Sequence, residues 1–336
     1  MAPAALPHEP PAGLLRDLIQ LGGAGAVVCE LGSNVRAPSS GPGVVRIGVF
    51  RSGALPTGGL EAFDILLCAE PSPPEPWVGV PEGLDDAVEA LCGAIARQPT
   101  AAAVAAQTLR ATLKLSFDEA LAAESIGYSM LLASGGFRAW RAERPPRDRP
   151  VDDAPRVRLD VSDAGIAIRL ARPAARNAFD ARMRDELAEA LRFALDHPDA
   201  PPVMLTGEGP AFSAGGDLDE FGSAADPGEA HLIRALRSPA RLAHALAERL
   251  TVTVHGACVG AGIEVPAAAA CVTARRDAFF RLPEVGMGLI PGAGGTASIP
   301  RRIGRWRAAY MAISGADIDA QTALAWGLID AIEAER

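Results

Sequence analysis

VGAGIEV, residues 259–265, sets one carboxylate among glycines and aliphatic side chains, with nothing beside it in the sequence to neutralise it. An unpaired carboxylate taken out of water is costly, or it takes up a proton. Glu264 is therefore either an exposed turn residue or a carboxyl group kept in a dry site to move protons. The stretch follows TVTVHG (251–256), whose β-branched residues read as a strand. Two further glycine-rich loops follow apolar runs: GPAFSAGGDL (209–218) after PVMLTG (202–207), and RLPEVGMGLIPGAGGT (281–296) at the end of AFFRL (278–282). Loops this poor in side chains let backbone amides approach a ligand closely. If GAGIEVPAAAA opens a helix, the amide of Ala261 lies at its positive end. Joined by the amide of Ala214, it would make an oxyanion hole. Such a pair suits a carbonyl that becomes an enolate, above all a thioester. Glu264 lies on the same turn and Glu284 two strands on, so two carboxyls could share general base and general acid duties.

The surrounding chain divides by composition. Residues 1–83 are rich in proline and glycine, with three short strand-like runs, AVVCEL (26–31), VVRIGVF (44–50) and FDILLCA (63–69). Residues 84–142 read as a three-helix block; in its last helix Leu121, Ser125, Tyr128 and Leu132 share a face before Gly135-Gly136 stops it. A proline-rich, charged linker covers 143–155. From 156 to 336 strands, glycine loops and helices alternate, the pattern of an α/β layered core. It opens with a hairpin, VRLDV and IAIRL around SDAG, and then a helix with Asp180 as its N-cap.

Bulk properties narrow the function. Hydrophobic residues make up 49% of the 336 and charged residues 22%, as in a globular protein. The net charge of −9 argues against a nucleic-acid partner. The longest apolar runs are too short to span a bilayer, and MAPAALPHEPPAG lacks the features of a signal peptide. The five cysteines are odd in number and scattered, which fits reduced thiols in the cytoplasm. The five histidines are too dispersed for a metal site, so no metal is expected. DLDE (217–220) reads as a solvated helix start rather than a metal cluster. His255 and Cys258 lack the third partner of a nucleophilic triad and read as core residues. GAGG (292–295) has no lysine after it for a phosphate loop, and GGAGAVV (22–28) precedes its strand instead of following it, the wrong order for a dinucleotide fingerprint.

FSAGGDL, HGACVGAGIE and LPEVGMGLIPGAGG together, in this order, resemble the enoyl-CoA hydratase/isomerase (crotonase) superfamily over roughly 156–330. The resemblance implies a crotonase-like spiral of ββα units. It implies oxyanion-hole amides at Ala214 and Ala261, and a catalytic pair at Glu264 and Glu284, whose twenty-residue separation is that of the family's hydratases. Arg176, in ARNAF (175–179), would meet coenzyme A phosphates, and Gly215, Gly216 and Asp217 would line the acyl-CoA path. The implied reaction is hydration of a 2-enoyl-CoA thioester, needing no cofactor beyond the coenzyme A of the substrate, in a homotrimer or dimer of trimers. Isomerase, hydrolase and non-catalytic acyl-CoA scaffold are its rivals, and a nucleotide-binding regulator has only the glycine loops in its favour. Two departures from the family pattern bear on the pocket: Ala261 stands in the middle of the usual triple glycine, and Pro266 follows Glu264 closely. The family's closing helical tail normally comes last. Here 84–142 resembles that tail, so a circularly permuted arrangement is expected, with the helical module ahead of the core.

Overall fold

The computed structural model describes residues 25–32, 35, 43–147 and 153–333. Residues 1–24 of the expected N-terminal segment and 148–152 of the expected linker lie outside the described residues, as does the start of GGAGAVV.

Three of the first four strands fall on the apolar runs of the proline-rich segment: β1 (Ala26–Glu30), β2 (Val45–Phe50) and β3 (Ile65–Cys68). With β4 (Val78–Gly79) they form a parallel sheet in sequential order. Burial of β2 and β3 on both faces explains their unbroken hydrophobic character.

Four helices follow, not three: α1 (Leu84–Arg97), α2 (Pro99–Thr112), α3 (Phe117–Leu132) and α4 (Gly135–Glu143). α3 begins with a capping box in which Ser116 and Glu119 satisfy each other's backbone amides. Gly135-Gly136 does not stop the block. Ser134 accepts from the Phe137 amide and caps a new helix, which carries Phe137 and Trp140 into the core.

The core continues with β5 (Val157–Ser162) and β6 (Gly165–Leu170), paired antiparallel as a hairpin. Then come α5 (Ala181–Asp196), β7 (Val203–Gly207), α6 (Pro227–Leu236), α7 (Pro239–Ala245), β8 (Leu250–Val254) and β9 (Ala257–Val259). Asp180 caps α5 as expected, accepting from the Met183 amide at 2.7 Å. A single turn, α8 (Ala261–Glu264), is followed by β10 (Cys271–Ala274), β11 (Phe279–Arg281), α9 (Gly295–Ser314, interrupted at Gly304), β12 (Ile318–Asp319), α10 (Ala320–Trp326) and β13 (Ala331–Ile332). Six strands make one sheet, in the order β13-β10-β8-β7-β6-β5. A smaller sheet, β12-β11-β9, stands beside it. Two sheets with helices layered on them make the α/β architecture expected from the alternation of strands and helices.

α9 is the hub. It packs against α1, α2 and α3 on one side and against α8 on the other. Helices 84–143 therefore lie directly on the core, and α3 also packs along α6. Among the described residues no helix is long and apolar enough to cross a membrane.

Candidate active site

β9 runs into Gly260, whose backbone (φ 49°, ψ −120°) is closed to side-chain-bearing residues and turns the chain sharply into α8. A β-carbon there would sit 2.4 Å from Oε1 of Glu284, so the glycine also makes room for that carboxyl group. α8 ends after one turn because Pro266 opens a 3-10 turn over 266–268. A four-residue helix has little dipole to offer, so the expected help from helix polarity at Ala261 is slight. The long helix that does present its N-terminus to the site is α9.

Glu264 and Glu284 are both buried and both line one cavity of about 470 Å³. Oε2 of Glu264 accepts the amides of Ala293 (2.7 Å) and Gly295 (2.9 Å). A third buried carboxylate, Glu124 of α3, accepts the amides of Gly294 and Thr296 and the Thr296 hydroxyl, at 2.7, 2.7 and 2.8 Å. Two carboxylates thus divide the otherwise unsatisfied amides at the start of α9. Nothing in the glycine loops pointed to Glu124. Its signal was an acid one helical turn from Leu121 and Tyr128, beside the apolar stripe of α3. That stripe, Leu121, Ser125, Tyr128 and Leu132, lines the same cavity.

The three carboxyls are not equivalent. Burial pushes Glu264 up to about 7, and the amides of Ala293, Gly295 and Gly292 hold it back from rising further. Burial first, and the charge of Glu264 second, raise Glu124, against the pull of its Thr296 and Gly294 donors. Glu284 is driven well above the usual carboxylate range by burial and then by Glu264. Its Oε2 has no hydrogen-bond partner among the described residues. The causes separate the pair: backbone amides favour the ionised form of Glu264, while burial and the charge of Glu264 favour the protonated form of Glu284.

The structure moves one expected amide donor. The N–H of Ala214 is engaged with the Arg176 carbonyl at 2.9 Å, and Ala214 does not line the cavity. Gly215 also lies off the cavity; its amide donates to Ser213 Oγ at 3.1 Å. Two residues past Ala214, the amide of Gly216 has no partner among the described residues and lines the cavity, as does that of Ala261. The physical reason is local. Positive φ at Gly215 (89°) turns the chain between the two amides, so that the Ala214 N–H meets the ARNAF loop while the Gly216 N–H points elsewhere. Asp217 lines the cavity but is buried and paired with Arg172 at 2.8 Å, so DLDE starts a turn and not a solvated helix. Arg176 is exposed, in left-handed backbone (φ 51°), and outside the cavity wall.

His255 Nε2 meets the Gly209 carbonyl at 2.9 Å. Cys258 is fully buried, with its thiol held near backbone carbonyls and its pKa raised by burial. Both are core residues. No cluster of three or more metal-ligating side chains occurs among the described residues.

A family model described as enoyl-CoA hydratase/isomerase matches residues 161–336, just over half of the chain. A "Probable enoyl-CoA hydratase" of Rhodobacter capsulatus is 36% identical over 174 residues, 52% of this chain and 66% of that protein. The "2,3-dehydroadipyl-CoA hydratase" of Escherichia coli is 36% identical over 166 residues, 49% of this chain and 64% of that protein. The chain thus spans a little under two thirds of the length of these curated relatives. The crystal structure of enoyl-CoA hydratase from Thermoplasma volcanium GSS1 superposes with a TM-score of 0.50 at 31% identity, over 54% of this chain and 73% of that one.

Proposed function

The chain belongs to the enoyl-CoA hydratase/isomerase family, and from that premise we propose that it adds water across the double bond of a 2-enoyl-CoA to give a 3-hydroxyacyl-CoA. The observation that carries this reading is the unequal pair of buried carboxyls, Glu264 and Glu284, in one cavity with the free amides of Gly216 and Ala261.

The thioester oxygen sits between those two amides. Ionised Glu264 takes a proton from water as the water oxygen bonds to Cβ. The π electrons move to the thioester oxygen as an enolate, which the amides stabilise; one such donor is worth about a hundredfold or more in rate. Cα then takes the proton of Glu284. H and OH have been added, Glu264 holds a proton and Glu284 has lost one, and a single proton exchange with solvent resets the pair. Water, thioester and two carboxyls supply every atom, so the reaction calls for no metal or redox cofactor. Glu124 shares the α9 N-terminus with Glu264 and holds the 293–296 loop in place beneath it.

Helices 84–142 act as the family's closing module placed ahead of the core instead of after it. The support is the reach of Glu124 from α3 to Gly294 and Thr296, and the stripe of α3 along the cavity. Of residues 1–83, the described part is an appendage whose sheet packs on α9, with Arg307 donating to the Trp77 and Pro73 carbonyls, and 143–155 serve as the linker into 156–336. The exposed apolar side chains Ile126, Met130, Leu232 and Leu236 on α3 and α6 support assembly into trimers or dimers of trimers. Arg176, being exposed, is free to meet coenzyme A phosphates at the protein surface.

The test is loss of the conjugated-thioester ultraviolet absorbance over a panel of short, long, branched and aromatic 2-enoyl-CoAs. Rapid loss with formation of a 3-hydroxyacyl product is expected. Binding of the thioesters without absorbance loss would instead point to a double-bond isomerase or hydrolase. Absence of binding would leave a scaffold that has lost the chemistry.

A further inference from the structure

Arg234 of α6 lines the cavity opposite the glycine loops. Its Nε donates to Ser125 Oγ at 3.0 Å, and its Nη2 donates to Ser129 Oγ and to the Ser125 carbonyl. Ser125 Oγ in turn lies 2.9 Å from His231 Nδ1, and the guanidinium carbon stands 4.8 Å over the Tyr128 ring. The cation is therefore clamped by α3 in one orientation, and half-buried. It has no carboxylate partner within salt-bridge distance, and its Nη1 has no hydrogen-bond partner, among the described residues.

The other arginines of the cavity wall are differently placed. Arg184 pairs with Asp185, and Arg237 with Asp185 and Glu189. Arg241 donates to the Ala235 carbonyl, in the last turn of α6. None of the three buried carboxyls forms a salt bridge with Arg234: the oxygens of Glu124 and Oε2 of Glu264 are taken by donors of the 293–296 segment, and burial pushes Glu284 towards its neutral form. A half-buried guanidinium on a cavity wall, with no carboxylate partner among the described residues, is a receptor for a planar anion.

We infer that Arg234 recognises a carboxylate at the far end of the acyl chain, so that the substrate is the 2-enoyl thioester of a dicarboxylic acid. This rests on the thioester reading of the same site. Tyr128 touches both ends: the Arg234 guanidinium stands 4.8 Å over its ring, and a β-carbon at Gly292 would meet the same ring at 2.4 Å. A molecule with its thioester at the glutamates and its distal carboxylate at Arg234 bridges the core and the α3–α6 wall.

The experiment measures binding of saturated acyl-CoAs to the full-length protein, so that it does not depend on turnover. Each ligand with a terminal carboxylate is paired with its methyl ester of the same chain length, over several lengths. The carboxylate is expected to bind roughly 10- to 100-fold more tightly than the ester at the best-fitting length. Arg234→Gln should bring that ratio close to one while leaving the ester's affinity nearly unchanged, and Arg234→Lys should retain part of it. Lack of discrimination by the native protein at every length would overturn the assignment, whatever the variants do. Equal weakening of acid and ester in Arg234→Gln would make the residue a tie between α3 and α6 only. Discrimination without hydration of any enoyl-CoA would keep this inference and remove the hydratase reading; hydration without discrimination would do the reverse.

Discussion

Glu264 and Glu284 line the same cavity yet differ in what holds them: backbone amides pull the first towards ionisation, and Oε2 of the second has no donor among the described residues. In the proposed mechanism, ionisation state and not position in the sequence divides base from acid. Glu264→Gln and Glu284→Gln are each expected to lower kcat by roughly a hundredfold or more, with little change in the dissociation constant of a saturated acyl-CoA. Unchanged turnover in both would remove them from the reaction. The pH profile follows from the same pair. Because the Glu264 value is raised to about 7, the base gains its proton as pH falls through that region, and kcat should drop on the acid side. Because burial and the charge of Glu264 raise Glu284 well above the usual carboxylate range, kcat should drop on the alkaline side as the acid loses its proton. The acid limb is expected to be missing from Glu264→Gln; its persistence there would assign that limb to another group.

At the scale of elements, the site is a junction of three: the turn into α8, the N-terminus of α9, and α3 lying across both. Each contact depends on small residues. The β-carbon missing at Gly260 leaves space for the Glu284 carboxyl, and one at Gly292 would meet the Tyr128 ring at 2.4 Å. Gly260→Ala should therefore displace Glu284 and strain a backbone with φ of 49°. Turnover should fall by more than tenfold, in line with loss of the acid, while the thermal midpoint drops by a few degrees, roughly. Native turnover in Gly260→Ala would show that the Glu284 carboxyl is not needed where the structure places it. Some of these junctions were readable in advance and others were not. Asp180 was legible as the cap of α5 because a cap is a local pattern. The fourth helix was missed because Gly135-Gly136 reads as a stop, whereas Ser134 turns the same glycines into a start. That the Ala214 amide is engaged with the Arg176 carbonyl was not legible, because amide direction depends on backbone angles such as the φ of Gly215, which composition does not reveal.

At the scale of the molecule, α3 and α9 are far apart in the chain yet share a hydrogen-bonded surface, with Glu124 and Gly294 separated by 170 residues. A helical module that completes a site in this way needs only to reach it, not to precede or follow it in sequence. Moving residues 84–147 behind residue 336, with a flexible linker long enough to span the ends, is expected to give a folded protein that keeps hydration activity within about tenfold, since surface linkers are where such rearrangements are tolerated. A soluble, folded rearranged chain with no activity and an unbound Glu124 would show that the native order itself is required.

The sequence by itself determined the alternation of strand, glycine loop and helix, the family resemblance, and the candidacy of Glu264 and Glu284, because strand periodicity, glycine loops and isolated acids are local and written in residue type. Only the tertiary structure decided that Gly216 and not Ala214 lines the cavity, that Glu124 joins it, and that Arg234 faces it without a carboxylate partner among the described residues. Those depend on which donors and charges are left over once the chain has closed, and what is left over is known only after every other pairing has been made.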